Sequence, residues 1–264
     1  YYLKSIINKM LFRSRIFCTF RKNLKVQTSR FQSVLVIAEH DNHKLSAITQ
    51  NAIGAAKKVG NQVSVLVAGS ENTEKICESL KKTANIEKII QAESKTLNGF
   101  PADSFANFVT EIQKKYNFTH IISGATVFGK ALLPRIAAKL NVSPVSEVIE
   151  IKAPDTFVRT IYAGNAVMTL KSTDPIKVIT IRGTNFEADS LQGSSSDVAI
   201  EKVAADNMTK PLTEFVSQEL SKSDRPELTS AKVIVSGGRG MKSGDNFKML
   251  YDMADKLNAA VGAS

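Results

Sequence analysis

Apolar positions fall into two alternating periods between residues 33 and 140. Continuous β-branched runs at 33–38 (SVLVIA), 63–67, 88–91 and 120–123 read as strands buried on both faces. Between them lie stretches with helical spacing. Residues 46–59 carry Ile48, Ala52, Ala55 and Ala56 and stop at Gly60. Residues 71–84 turn Ile76 and Leu80 inward, 102–116 carry Phe105, Phe108, Val109 and Ile112, and 128–140 carry Leu132, Leu133, Ile136 and Leu140. Strands alternating with helices of this length predict a parallel sheet with right-handed crossovers.

The period changes near Val145. Residues 147–151, 157–163, 166–170 and 177–182 are short strand candidates with no helix between them, and Gly164-Asn165 reads as a two-residue hairpin turn. The expectation is an antiparallel extension of the parallel domain. Residues 187–229 lose strong periodicity, apart from one strand candidate near 198–203, and include GSSS and two X-Pro pairs, so the inter-domain linker is placed there. At 232–236 (KVIVS) a buried-type strand returns. It is followed by the glycines 237, 238 and 240 and by a helix with Phe247, Leu250, Ala254 and Leu257 on one stripe. Ser243 or Asp245 is the expected cap.

Strand, glycine turn and helix start form a geometry in which free N–H groups meet a phosphate. Arg239 and Lys242 add positive charge beside the turn. Two common nucleotide motifs fail here. A P-loop needs Gly before its Lys-Ser pair, where Met241 stands, and a Rossmann fingerprint needs Gly where Ser243 stands. In the first domain the loops 39–45, 68–72 and 124–129 hold no complete nucleotide fingerprint. His40, Asp41 and His43 read as a solvated loop rather than a metal cage. His120 reads as a satisfied core histidine, and no metal site is expected.

The chain has 264 residues, with 35 Lys and Arg against 25 Asp and Glu. Residues 1–38 hold eight of the basic residues and no acid, which leaves 27 basic against 25 acidic elsewhere. A nearly neutral folded part argues against a nucleic-acid partner. A basic, acid-free start bearing Lys9, Arg13 and Arg15 among Ile6, Ile7, Met10, Leu11 and Phe17 suits a mitochondrial transit peptide, and the charges break any secretory core. No apolar run is long enough for a bilayer span, so no membrane insertion is expected. Cys18 and Cys77 are too few for a disulfide framework. The domain reading is therefore 1–30 transit peptide, 31–186 N-terminal α/β domain, 187–229 linker and 230–264 a second unit of strand, glycine turn, helix and strand, which the resemblance below makes a partial FAD-binding domain.

SGGRGMKSGDNFKMLYDMADKLNAAVGAS resembles the start of the flavin domain of the electron transfer flavoprotein alpha-subunit family. The resemblance continues upstream through SVLVIAEHDN, HIISGATVFGKALLPRIAAKLNVSPVSEV, FVRTIYAGNAVMTLKS and KVITIRGTNFE. It implies an adenine-nucleotide-hydrolase-like parallel domain with an antiparallel extension, followed by the first β-α-β unit of a doubly wound FAD-binding domain. It also implies an electron carrier rather than an enzyme, so no catalytic residue is expected. The implied cofactor is FAD, and the implied heterodimer partner is the electron transfer flavoprotein beta subunit. Electrons would come from acyl-CoA dehydrogenases of fatty acid beta-oxidation and pass to the electron transfer flavoprotein-ubiquinone oxidoreductase, in the mitochondrial matrix. Arg239 matches the Arg of the family's GGRG turn and Ser264 the Ser of its VGAS strand end, and both are expected to bind the cofactor. Asp245 stands where many relatives have Glu. Because most of the family's flavin site would follow Ser264, the chain reads as a fragment. The alternatives are an adenine-nucleotide-binding regulatory module at 31–183 and a purely structural subunit.

Overall fold

In the computed structural model the described residues are 32–81, 86–188, 198–205, 213, 215–218, 225–226, 228 and 231–263. The parallel core is built from β1 (Ser33–Ile37), α1 (Ala47–Val59), β2 (Gln62–Gly69), α2 (Thr73–Leu80), β3 (Lys88–Glu93), α3 (Ala102–Tyr116), β4 (His120–Gly124) and α4 (Val127–Leu140). It continues with β5 (Pro144–Ala153), β6 (Thr156–Ile161), β7 (Ala166–Lys171), β8 (Lys177–Ile181) and β9 (Ala199–Lys202). These nine strands form one sheet in the order β7-β6-β5-β8-β4-β1-β2-β3-β9.

Alternation within the apolar runs explains why both faces are covered. Val34 and Val36 of β1 pack in a cluster with Ala52, Ile53 and Ala56 of α1 and Ile76 and Leu80 of α2. Leu35 and Ile37 belong to the opposite cluster, with Phe105 and Ile112 of α3 and Leu132 and Ile136 of α4. Two helices per face is the doubly wound arrangement, and its strand order reverses between β1 and β4.

Four expectations need correction. Residues 177–182 are not part of the antiparallel extension, because β8 inserts between β4 and β5 and runs parallel to both. Val178, Ile179 and Ile181 are buried there, a burial that only a central position provides. The extension itself is β5–β6–β7, antiparallel throughout. Its second hairpin turns through four residues instead of two, since Ile161 pairs with Ala166. Tyr162, Ala163 and Gly164 take φ of 53°, 54° and 94°, so the chain reverses through left-handed backbone. Helix α2 ends at Leu80, and 82–85 lie outside the described residues. The strand suspected inside the linker is β9, and it pairs in parallel with β3 of the first sheet.

After the linker region a second unit follows: β10 (Ile234–Gly237), α5 (Phe247–Leu257) and β11 (Ala260–Ala263). Strands β10 and β11 form their own parallel pair. Among the described residues, no helix is long and apolar enough to cross a membrane.

Candidate functional site

The register Ile234↔Ala260, Val235↔Val261, Ser236↔Gly262 and Gly237↔Ala263 brings β10 and β11 to one common end. The glycine turn begins at that end. Gly237 lies where strand and helix meet closely, since a Cβ there would stand 2.6 Å from Leu250 Cδ1 and 3.0 Å from Met241 Cγ. Bare backbone at this point lets α5 close onto the strand. A Cβ at Gly240 would meet nothing within 4 Å, so the outer side of the turn is open.

The turn is a single 3-10 loop over Arg239–Met241. Met241 N–H donates to Gly238 C=O at 2.9 Å, Lys242 N–H to Arg239 C=O at 3.1 Å, and Ser243 N–H to Met241 C=O at 2.7 Å. Asn246 Nδ2 donates to Met241 C=O at 2.6 Å and holds the bend to the start of α5. A helical turn has no internal acceptor for its first N–H groups, which here belong to Arg239 and Gly240. Arg239 and Lys242 are exposed, and Lys242 takes φ of 60° as the chain swings into the following turn.

Capping differs from expectation. Ser243 Oγ accepts from Asp245 N–H at 3.2 Å, which closes a short 3-10 turn over Gly244–Asn246. Helix α5 starts only at Phe247, behind Asn246, with no side-chain cap bond. The strand expected to be buried is also partly open: Ile234 is 49% exposed. Leu250 and Ala254 are the buried residues of α5, whereas Phe247 and Leu257 of the predicted stripe stay partly or well exposed.

Of the two predicted site residues, Arg239 lies on the turn at the carboxyl end of β10. Ser264 lies outside the described residues, although its predecessor Ala263 pairs with Gly237. The open turn, its two N–H groups without an internal acceptor and two exposed cations form a donor set that suits the pyrophosphate of a dinucleotide. The residues present therefore fit that end of FAD.

The corresponding edge of the first unit is closed. Thr126 Oγ1 caps α4 by accepting from Gly129 N–H at 3.2 Å and donates to Glu39 Oε2 at 2.6 Å. Burial raises the Glu39 pKa, and the Thr126 bond partly offsets this. A Cβ at Gly69 would meet Asn42 Oδ1 at 2.6 Å and His40 Cε1 at 2.8 Å, and one at Gly129 would meet Gly124 O at 1.9 Å. The loop holding His40 is not simply solvated. His40 is 7% exposed and its Nδ1 accepts from Asn42 N–H at 3.2 Å, whereas His43 is exposed. Burial lowers the His40 pKa to about 4, against smaller opposing effects from the Ala68 carbonyl and Asp41. No group of three or more metal-ligating side chains occurs among the described residues. His120 is the satisfied core histidine expected: Nδ1 meets Thr119 Oγ1 at 2.8 Å and Nε2 meets Pro154 O at 2.7 Å.

Sequence reasoning missed Glu147. It sits at a register break in β5 with φ of 53° and binds Arg182 Nη2 and Lys130 Nζ, each at 2.6 Å. No local signal marks it, because both cations come from other elements.

The two units define a doubly wound α/β protein followed by a nucleotide-type β-α-β unit. Residues 34–208 match the family described as electron transfer flavoprotein domain, and residues 227–264 match the electron transfer flavoprotein FAD-binding domain. A "probable electron transfer flavoprotein subunit alpha, mitochondrial" of Caenorhabditis elegans is 50% identical, over 92% of this chain and 72% of that protein. The "electron transfer flavoprotein subunit alpha" of Pseudomonas aeruginosa is 47% identical, over 88% and 73%. The mitochondrial alpha subunit of Dictyostelium discoideum is 44% identical, over 89% and 69%. The chain belongs to the electron transfer flavoprotein alpha-subunit family. Membership makes it an electron-carrier subunit with a flavin cofactor and implies a beta-subunit partner.

Proposed function

We propose that this chain serves, with a beta subunit, as a mitochondrial-matrix FAD carrier. It takes electrons from acyl-CoA dehydrogenases and passes them to the membrane-bound electron transfer flavoprotein-ubiquinone oxidoreductase. The observation that carries this reading is the open glycine turn at residues 237–241, inside the segment that matches the FAD-binding domain. The location is supported by the mitochondrial names of the nematode and amoeba relatives and by the basic, acid-free first 38 residues.

FAD, when bound, supplies the capacity to accept and release electrons. This chain's own residues hold and tune it. The N–H groups of Arg239 and Gly240 would hold the pyrophosphate, and the Arg239 guanidinium would neutralise phosphate charge or stabilise a reduced, anionic flavin. The family resemblance gives Ser264 a contact near the cofactor's phosphates. Residues 31–186 together with strand β9 form the N-terminal domain, the rest of 187–229 is the connection, and 230–264 belong to the FAD domain.

The test uses the alpha–beta complex. Adding an acyl-CoA dehydrogenase and its substrate should bleach the flavin absorption, and added quinone oxidoreductase should restore it. A flavin that stays oxidised would sink the donor assignment. Arg239→Ala should weaken FAD retention by about tenfold, as expected for one charge-assisted contact. Unchanged affinity would remove the role given to Arg239.

A nucleotide-sensing role for residues 31–183 is less well supported, because Asn42 and His40 already cover Gly69 and Thr126 already takes the Gly129 N–H. Calorimetric titration with AMP and ATP discriminates: heat of binding in the absence of FAD would favour the sensor.

A further inference from the structure

One peptide of the glycine turn is strained, and one side chain from the start of α5 holds it. Lys242 takes φ of 60° and ψ of −40°, and Ser243 N–H donates to Met241 C=O, two residues back, at 2.7 Å. This is a γ-turn of the rare, strained hand. Glycine would adopt the same backbone without cost, yet the residue is Lys. The Met241 carbonyl takes a second bond, from Asn246 Nδ2 at 2.6 Å. Asn246 stands at the N-cap of α5, where an Asn side chain ordinarily accepts from the first N–H groups of the helix. Here it makes no cap bond, and its amide reaches back to Met241 instead.

The strain has one direct release: turning the Met241–Lys242 peptide over returns φ of Lys242 to negative values. The reversed carbonyl would then take the place from which Lys242 N–H now donates to Arg239 C=O at 3.1 Å, oxygen against oxygen. The 3-10 turn over Arg239–Met241 would open. N–H groups at the start of a helical turn point the same way along its axis, and those of Arg239 and Gly240 would lose that alignment. We propose that Asn246 is a positioning residue for the cofactor turn: its amide locks the Met241–Lys242 peptide in the strained orientation and so keeps the Arg239 and Gly240 N–H groups presented together to a pyrophosphate. This role rests on the reading of the turn as part of the FAD site.

Four variants of the alpha–beta complex test the lock: Arg239→Ala, Asn246→Ala, and Asn246→Ala combined with either Lys242→Gly or Lys242→Ala. FAD affinity is read by fluorescence titration of the apo complex, and the pyrophosphate environment by phosphorus NMR of the bound cofactor. Asn246→Ala should weaken FAD about tenfold and move the phosphorus resonances. It should leave the thermal midpoint of the apo complex within about 2 °C, because the bond is exposed. Neither double variant carries the Lys242 charge, but glycine takes the present backbone without strain. The Lys242→Gly pair should therefore bind FAD about fivefold more tightly than the Lys242→Ala pair. Wild-type affinity and phosphorus shifts in Asn246→Ala, with affinity lost in Arg239→Ala, would overturn the lock alone. If both single variants matched wild type, the FAD reading of the turn would fall with it. Equal affinity of the two double variants would also overturn the lock, as would a fall in the apo midpoint that accounts for the lost affinity.

Discussion

Thr126 and Gly237 show single side chains, or the lack of one, controlling the two strand ends. Thr126 does two jobs, capping α4 and supplying a side-chain hydrogen bond that eases the half-buried Glu39 carboxylate. Thr126→Ala should cost about 0.5–2 kcal/mol, the range for a lost helix cap. It should also raise the Glu39 pKa further, which a carboxyl-labelled NMR titration would follow. A destabilisation below about 0.3 kcal/mol would mean that water replaces both bonds. Gly237→Ala places a methyl 2.6 Å from Leu250 Cδ1 and should cost about 1–3 kcal/mol by overpacking. Chemical denaturation followed at α5 would register it, and an unchanged midpoint would show that Leu250 moves aside freely. Both residues lie in stretches that look special in the sequence, GATVFG and SGGRG, but the partners Glu39 and Leu250 could not be read from them. Those contacts form only when separate elements meet.

At the scale of elements, β9 is the clearest case of a strand held by side chains from elsewhere. It has four residues and a single strand neighbour, β3. Glu201 accepts from Lys88 of β3 and from the Tyr116 hydroxyl and Lys115 of α3, the last at 2.9 Å. These bonds hold its carboxyl down at about 2. Lys202 adds a pair with Glu74 of α2 at 2.6 Å. Glu201→Ala should therefore release β9, and exchange at 199–203 should approach the unprotected rate while β1 and β4 stay slow. Persistent protection there would assign the strand's hold to Val198 and Ala205, its buried flanks. In the sequence, β9 was visible only as a weak alternation inside an aperiodic region. A four-residue edge strand buries too little for its pattern to stand out.

For the whole molecule, acid stability divides into two windows. His40 and His120 are buried as neutral rings with pKa values lowered to about 4, in both cases mainly by burial. An unfolded chain binds protons at these histidines below about 6.5, so between about 6.5 and 4 it holds more protons than the folded one. Stability contributed by the neutral rings is thus complete above about 6.5 and falls as pH drops toward 4, by on the order of 3 kcal/mol for each ring. Glu201 acts in a lower window: its contribution is present above about 4.5 and is lost as pH falls toward 2. Denaturant midpoints measured from pH 7 to 4 should fall, and His120→Gln should flatten the slope. A flat wild-type profile would contradict the burial assigned to both histidines.

The alternation of strand and helix, the closed core and the glycine turn are local properties of the chain, so its sequence alone determined them. Periodicity marks which faces are apolar, and Gly237 marks where two elements must approach closely. Family membership was legible in the same way, because several ordered segments carry it. What tertiary structure decided is non-local. Strand β8 entered between β4 and β5, although its run of KVITI looks the same at an edge or a centre. His40 left the solvent because Phe100 closes over it, and Glu147 took left-handed backbone where two distant cations meet it. In each case the energy comes from contacts between residues far apart in the chain, and no window of sequence contains both partners.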